Sequence, residues 1–150
     1  MTDLNLHTGA DIQTGLPHAA AQTGLKEWHR IVASLDWDRL PDLLTEEVVF
    51  RNPAAFEPYH GKATMVAILR AVFSVLQDFT YLRHFGSKTG YVLEFSARVG
   101  DENLFGVDLV EFNQEGKITD FMVMMRPANA VLVLATEAGK RLAAQQVSAE

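Results

Sequence analysis

The feature that most constrains the fold is a β-hairpin predicted over residues 104–125. Two runs rich in β-branched and aromatic residues flank the turn at residues 113–116, and Gly116 can take the positive φ that such a turn needs. Asp108 interrupts the first run, although aspartate is disfavoured in strands and its carboxylate is costly to bury. Gly106 shares a face of the pleat with Asp108 and removes side-chain bulk beside it. The hairpin therefore predicts a cavity next to Asp108.

Length and composition limit the classes of function that the chain can have. Its 150 residues fit one domain with a substantial core. The net charge of -6 and the scattering of the 13 lysines and arginines argue against nucleic-acid binding. The absence of cysteine excludes disulfides, a thiolate nucleophile and cysteine-type metal sites. No apolar run approaches the roughly 18 to 20 residues of a membrane span, and residues 1–23 do not resemble a signal peptide, so we expect a cytoplasmic protein that does not bind membranes.

Periodicity along the chain predicts the order of its elements. We expect residues 1–24, which are polar and broken by glycine and proline, to form an arm, and residues 25–145 to form the single domain. Within the domain the patterns predict helices at 25–35 and 36–44, a strand at 47–52, a helix from Gly61 to Leu76, strands at 79–85, 91–99, 104–112 and 117–126, and a helix at 128–142. This order predicts an α+β fold, with helices on one face of a curved, mostly antiparallel sheet.

Several short motifs carry a resemblance to a known superfamily. Asn52-Pro53, Pro58, Gly61, Gly106-Val107-Asp108 and Gly116-Lys117-Ile118 occur in this order, and the chain thereby resembles nuclear transport factor 2, ketosteroid isomerase and the SnoaL-like cyclases over about residues 25–130. The resemblance implies a cone-shaped, barrel-like fold with N-terminal helices on the concave face of the sheet and a C-terminal helix. It says less about activity, because this fold hosts enzymes, binding modules and transport factors.

The resemblance also implies roles for particular residues. Asp108 falls where ketosteroid isomerases hold a protonated aspartic acid that hydrogen-bonds the substrate oxygen. The isomerase general base is replaced by Asn52, and the oxyanion-hole tyrosine by Ile31, so we expect no steroid-type isomerisation. Limonene-type epoxide hydrolases carry a water-positioning asparagine where Asn52 stands, but the acid that they need on the last strand is replaced by Val123.

Asp108 and Asn52 are accordingly the candidate catalytic residues. We expect Asp108 to be protonated near neutral pH in an apolar setting, and Asn52 either to contact a ligand or water or to hold the loop before Pro53. The candidate ligand-binding residues are Trp28, Ile31, Tyr59, His84, Phe95, Val110, Phe121, Val123 and Met125. A surface position is an alternative for Tyr59 and for His84, because the register of residues 79–85 decides whether His84 or Arg83 faces inward.

Two classes of function remain open at this point. In the first, a pocket containing Asp108 binds, and in an enzyme transforms, a small hydrophobic compound bearing a carbonyl or hydroxyl group. In the second, the chain is a dimeric protein-interaction module whose pocket is filled. A further alternative is an epoxide-hydrolase- or cyclase-like enzyme that uses Asn52 and Asp108. The histidines are too scattered for a metal site and no phosphate-binding glycine loop is present, so we expect no metal and no cofactor.

The outer face of the hairpin predicts a homodimer. A monomer would expose a contiguous apolar patch there, which soluble proteins seldom tolerate. The patch consists of Phe105, Val107, Leu109, Met122 and Met124.

Overall fold

In a computed structural model, which describes residues 15–148, α-helices pack against one face of a six-stranded sheet. The predicted α+β class is confirmed. The elements in chain order are α1 (Ala19–Ser34), a 3-10 helix (Trp37–Leu43), β1 (Leu44–Arg51), β2 (Tyr59–His60), α2 (Lys62–Val75), β3 (Gln77–Gly86), β4 (Gly90–Val99), β5 (Glu102–Phe112), β6 (Ile118–Arg126) and α3 (Ala128–Ser148).

The sheet has the strand order β2-β1-β6-β5-β4-β3. Strands β3 to β6 form the predicted antiparallel meander, and Gly116 in the turn between β5 and β6 has a φ of 79°. Strand β1 instead runs parallel to β6, with Phe50 opposite Phe121. The sheet is therefore antiparallel except at this one pairing among the described strands.

The alternation predicted for the hairpin is confirmed by burial. Inward-pointing Phe95, Val110, Phe121 and Val123 are buried in the core with Asp108. Outward-pointing Phe105 and Met124 are 47% and 53% exposed. A shift of one residue in register would exchange the two faces, so this pattern fixes the register of the hairpin.

The first helix begins earlier than the sequence predicts. Helix α1 starts at Ala19, not at Leu25, and His18 caps it by accepting a hydrogen bond at Nδ1 from the Ala21 N–H at 3.1 Å. Gly24 lies inside this helix. Glycine is required there because a Cβ at this position would lie 2.5 Å from the Gly116 carbonyl oxygen. Residues 15–24 of the predicted arm thus belong to the fold, and residues 1–14 lie outside the described residues.

The second predicted helix is a 3-10 helix. Pro41 lies inside it, and Asp36 at its N-terminus makes no capping hydrogen bond but pairs through its carboxylate with Arg30 at 3.1 Å. A 3-10 helix accommodates short, distorted segments of this kind. Over residues 15–148, no helix combines the length and the apolar composition needed to span a membrane.

Candidate functional site

A cavity of about 240 Å³ lies between the inner face of the sheet and helices α2 and α3. Aromatic residues of four strands, Phe50, Phe79, Phe95 and Phe121, line its sheet side. The exposed residues Ala54, Ala55 and Tyr59 form part of its rim. The cavity is therefore a mostly apolar site that is accessible from solvent.

Asp108 is the one charged residue that is buried among the described residues, with 4% of its surface exposed. It lies mid-strand on β5, opposite Leu93 and Val123, and lines the cavity. Burial raises the pKa of Asp108 to about 7, against a smaller lowering by a hydrogen bond from Tyr81. At pH 7 the neutral and ionised forms are therefore both populated, whereas the sequence predicts a predominantly neutral acid.

Tyr81 is the site residue that the sequence reasoning missed. Its hydroxyl donates to Oδ2 of Asp108 at 2.6 Å and accepts from Nε1 of Trp28 at 2.9 Å. Leu82 forms a bulge between Tyr81 and Arg83, and bulges re-aim neighbouring side chains. The alternation of Phe79 and Tyr81 indicates an inward face. The bulge at Leu82 changes the register of the residues that follow, and the sequence pattern does not indicate this change.

Asn52 has the structural role that the sequence left open, and it also lines the cavity. Its Oδ1 accepts hydrogen bonds from the N–H groups of Ala54 and Ala55, both at 2.9 Å. Its Nδ2 has no hydrogen-bond partner among residues 15–145. Asn52 directly follows Arg51, the last residue of β1, which pairs with Met122 on β6.

Six of the nine predicted ligand-binding residues line the cavity: Trp28, Tyr59, Phe95, Phe121, Val123 and Met125. The other three do not. Ile31 and Val110 are buried in the hydrophobic core, where they pack among other core side chains and do not border the cavity. His84 is exposed on β3, the edge strand of the sheet, and its ring centroid lies 5.4 Å from that of Tyr91.

Gly106 has a different role from the one that the sequence predicts. A Cβ at this position would lie 2.4 Å from Cζ of Phe95 and 2.6 Å from the Met124 carbonyl oxygen. The space left by the missing side chain is therefore filled by the Phe95 ring, which crosses the strand and forms a wall of the cavity. Glycine opens the cavity only indirectly, by letting Phe95 lie flat.

The sequence reasoning also missed the helical wall of the cavity. Leu69, Val72 and Phe73 come from α2, and Val131, Leu134, Ala138 and Leu142 come from α3. Their helical spacing predicts a buried face but does not tell which of them border empty space. Among residues 15–148, no group of three or more side chains is arranged to hold a metal ion.

Comparison with known proteins places this site in a family. The model of the SnoaL-like domain matches residues 25–121. A steroid delta-isomerase from Pseudomonas aeruginosa is 42% identical, with a TM-score of 0.84 over 89% of this chain and 98% of that one. An uncharacterised bacterial protein with a cystatin-like fold, from Silicibacter pomeroyi, is 32% identical, with a TM-score of 0.77 over 82% and 87% of the two chains.

A more distant structure shares the fold alone. The epoxide hydrolase/cyclase-like enzyme SalBIII, described as having a role in pyran ring formation in the polyether salinomycin, is 15% identical. Its TM-score is 0.61 over 73% of this chain and 92% of that one. The search of curated proteins found no match. The family match spans well over half of the 150 residues. The chain belongs to the SnoaL-like domain family.

Proposed function

We propose that this protein binds a small, largely apolar molecule bearing a carbonyl or hydroxyl oxygen, and that Asp108 hydrogen-bonds that oxygen. The observation that carries the proposal is that Asp108 is the one charged side chain in the lining of a mostly apolar cavity. Ligand sites of this kind combine apolar walls with a few polar groups that fix orientation. A filled cavity would instead have favoured the protein-interaction module.

The chemistry of Asp108 supports recognition of an oxygen atom. In its neutral form the carboxyl group donates a hydrogen bond to a carbonyl, and in its ionised form it accepts one from a hydroxyl. Its pKa of about 7 makes both forms accessible near neutral pH. The Nδ2 group of Asn52 offers a second donor in the lining of the cavity, beside the rim residues Ala54 and Ala55.

The cavity supports binding and polarisation of a carbonyl better than removal of a carbon-bound proton. Asp108 is the one carboxyl group among the residues that line the cavity, so it cannot at once remove the proton and donate a hydrogen bond to the oxygen, and the resemblance implies that Asn52 replaces the isomerase general base. We therefore propose a different activity from the one named for the Pseudomonas aeruginosa relative, which is called a steroid delta-isomerase.

A matched pair of probes tests the proposed contact with oxygen. At pH 6, 2-decalone should bind more tightly than 2-methylenedecalin, its isostere without the oxygen, by about 5- to 100-fold in an NMR titration. Asp108→Asn keeps a donor and should retain much of this preference, whereas Asp108→Ala should lose it. Equal affinities for the two probes, or an unchanged preference in Asp108→Ala, would contradict the proposal.

We also propose that the outer face of the hairpin forms a homodimer. The half-exposed Phe105 and Met124 lie on this face, and the ion pairs Arg83–Glu94 (2.6 Å) and Arg51–Asp120 lie on its borders. An apolar centre with a polar rim is the usual anatomy of an interface.

Sedimentation at micromolar concentration tests the dimer. We expect the wild-type protein to sediment as a dimer and Val107→Arg to sediment as a monomer, because the new charge would be buried without a partner. Leu132→Arg, on the exposed outer side of α3, is the matched control and should remain dimeric. A monomeric wild-type protein refutes the interface.

A further inference from the structure

One hydrogen-bonded chain of side chains connects helix α1 to the carboxyl group of the cavity. It begins at Trp28 on α1, passes through Tyr81 on β3 and ends at Asp108 on β5. The three residues are distant in sequence, with separations of 53 and 27 positions between successive partners. The fold therefore brings together three elements to contact one carboxyl group.

The direction of the hydrogen bonds in this chain is fixed by chemistry. The indole N–H of Trp28 can only donate, so the Tyr81 oxygen accepts it, and the single Tyr81 proton goes to Oδ2 of Asp108, the one acceptor that the Tyr81 hydroxyl contacts among the described residues. Oδ2 must then act as an acceptor. A proton carried by Asp108 consequently resides on Oδ1.

Oδ1 is the oxygen that is left for a ligand. It has no hydrogen-bond partner among residues 15–145. Oδ1 is also not fully buried, so part of its surface remains accessible. Because Asp108 lines the cavity, that surface is within reach of a bound molecule.

The Tyr81 ring is held firmly in this position. Its edge or face meets Phe79 at 4.9 Å, Phe95 at 6.3 Å and His29 at 5.0 Å between ring centroids. His29 is the nearby titratable group on α1, and its burial, together with His84, lowers its pKa and favours the neutral ring. Aromatic packing of this kind leaves the Tyr81 hydroxyl little freedom to turn away from Asp108.

We propose that Tyr81 is a positioning residue which, with Trp28 behind it, confines the Asp108 proton to Oδ1 and aims it at the oxygen of the ligand. This inference rests on the proposed function for the ligand, but the contact between Tyr81 and Asp108 can be tested without one. Tyr81 thereby determines which of two chemically equivalent oxygens is the donor.

Carboxyl titration of Asp108 by NMR provides the test without a ligand. The Tyr81 hydrogen bond is stronger to a carboxylate than to a neutral acid, so Tyr81→Phe should raise the pKa of Asp108 by about one unit. Trp28→Phe should raise it less, because Tyr81 still donates. Tyr91→Phe, at a buried tyrosine on β4 that does not contact Asp108, is the matched control and should leave the pKa unchanged. An unchanged pKa in Tyr81→Phe overturns the proposal, and Trp28→Phe decides in the same way if Tyr81→Phe does not fold.

Binding of the two decalin probes at pH 6 provides the second readout. Asp108 is mostly protonated at this pH in both proteins, so Tyr81→Phe should reduce the preference for 2-decalone several-fold by letting the proton move to Oδ2. A preserved preference would show that Tyr81 does not position the proton. If the wild-type protein shows no preference at all while the pKa still rises in Tyr81→Phe, the proposed ligand contact has failed and the Tyr81–Asp108 coupling stands.

Discussion

Between pH 4 and pH 8, the free energy of unfolding of Asp108→Asn should rise by about 4 kcal/mol relative to that of the wild type. Folding raises the pKa of Asp108 from 3.8 to about 7, so the native protein binds the Asp108 proton more tightly than the unfolded chain does. Each pH unit between these two values weakens the wild-type native state by about 1.4 kcal/mol. The stabilising contribution is complete below pH 3.8 and is lost as the pH rises to about 7.

Denaturant unfolding from pH 4 to pH 8 measures this effect. Asparagine mimics the neutral acid, since its side-chain oxygen can still accept from Tyr81 and its amide group can occupy the position of Oδ1. The free energy of unfolding of Asp108→Asn should therefore gain on that of the wild type as the pH rises. The surface substitution Asp101→Asn is the matched control and should follow the wild-type curve. Parallel curves for Asp108→Asn and the wild type would mean that Asp108 is not desolvated in solution.

Replacing Asn52 by aspartate should create an isomerase activity that we expect the natural protein to lack. A positioned general base contributes about 10²- to 10⁴-fold to proton transfer, and by our proposal Asp108 hydrogen-bonds the oxygen of the resulting enolate. One carboxylate oxygen of the new residue can accept the N–H groups of Ala54 and Ala55 as Asn52 does, so the loop should keep its conformation. The same two hydrogen bonds favour the ionised form that a base requires.

The conversion of 3-cyclohexen-1-one to its conjugated isomer reports this activity through ultraviolet absorbance. We expect the wild type and Asn52→Leu to remain at the uncatalysed rate and Asn52→Asp to exceed it by about 10²-fold or more. The double variant with Asp108→Ala should lose most of the gain, because the enolate oxygen then has no donor. Robust isomerisation by the unmodified protein would contradict this prediction and would show that ionised Asp108 or another group serves as the base.

The sequence predicts the parts of the fold that depend on local pattern. The alternation of residues 104–125 identifies both faces of the hairpin, and it places Asp108 inside and Phe105 outside as the structure has them. Helix α2 and the meander follow from periodicity in the same way. These features depend on neighbouring residues in the chain, and the sequence records such neighbours directly.

The missed features depend on contacts between distant elements. Tyr81 reaches Asp108 across β4, and Trp28 reaches Tyr81 from α1, so neither contact has a local signature. The bulge at Leu82 changes the register of β3 at the position where the sequence had to choose between His84 and Arg83. Gly106 is predicted to leave space beside Asp108, and Gly24 is predicted to lie in the arm. In both cases another group fills the space that a side chain would take.

The parallel pairing of β1 with β6 has a consequence for how the protein folds and opens. The four strands β3 to β6 can pair one after another through short turns, whereas Phe50 and Phe121 must meet from opposite halves of the chain. Closing such a long loop is entropically costly, so β1 should join the sheet late in folding and detach at a lower free energy than the meander. Since Asn52 and the rim residues follow β1 directly, a local detachment of this strand would widen the entrance to the cavity while the strand that carries Asp108 stays folded.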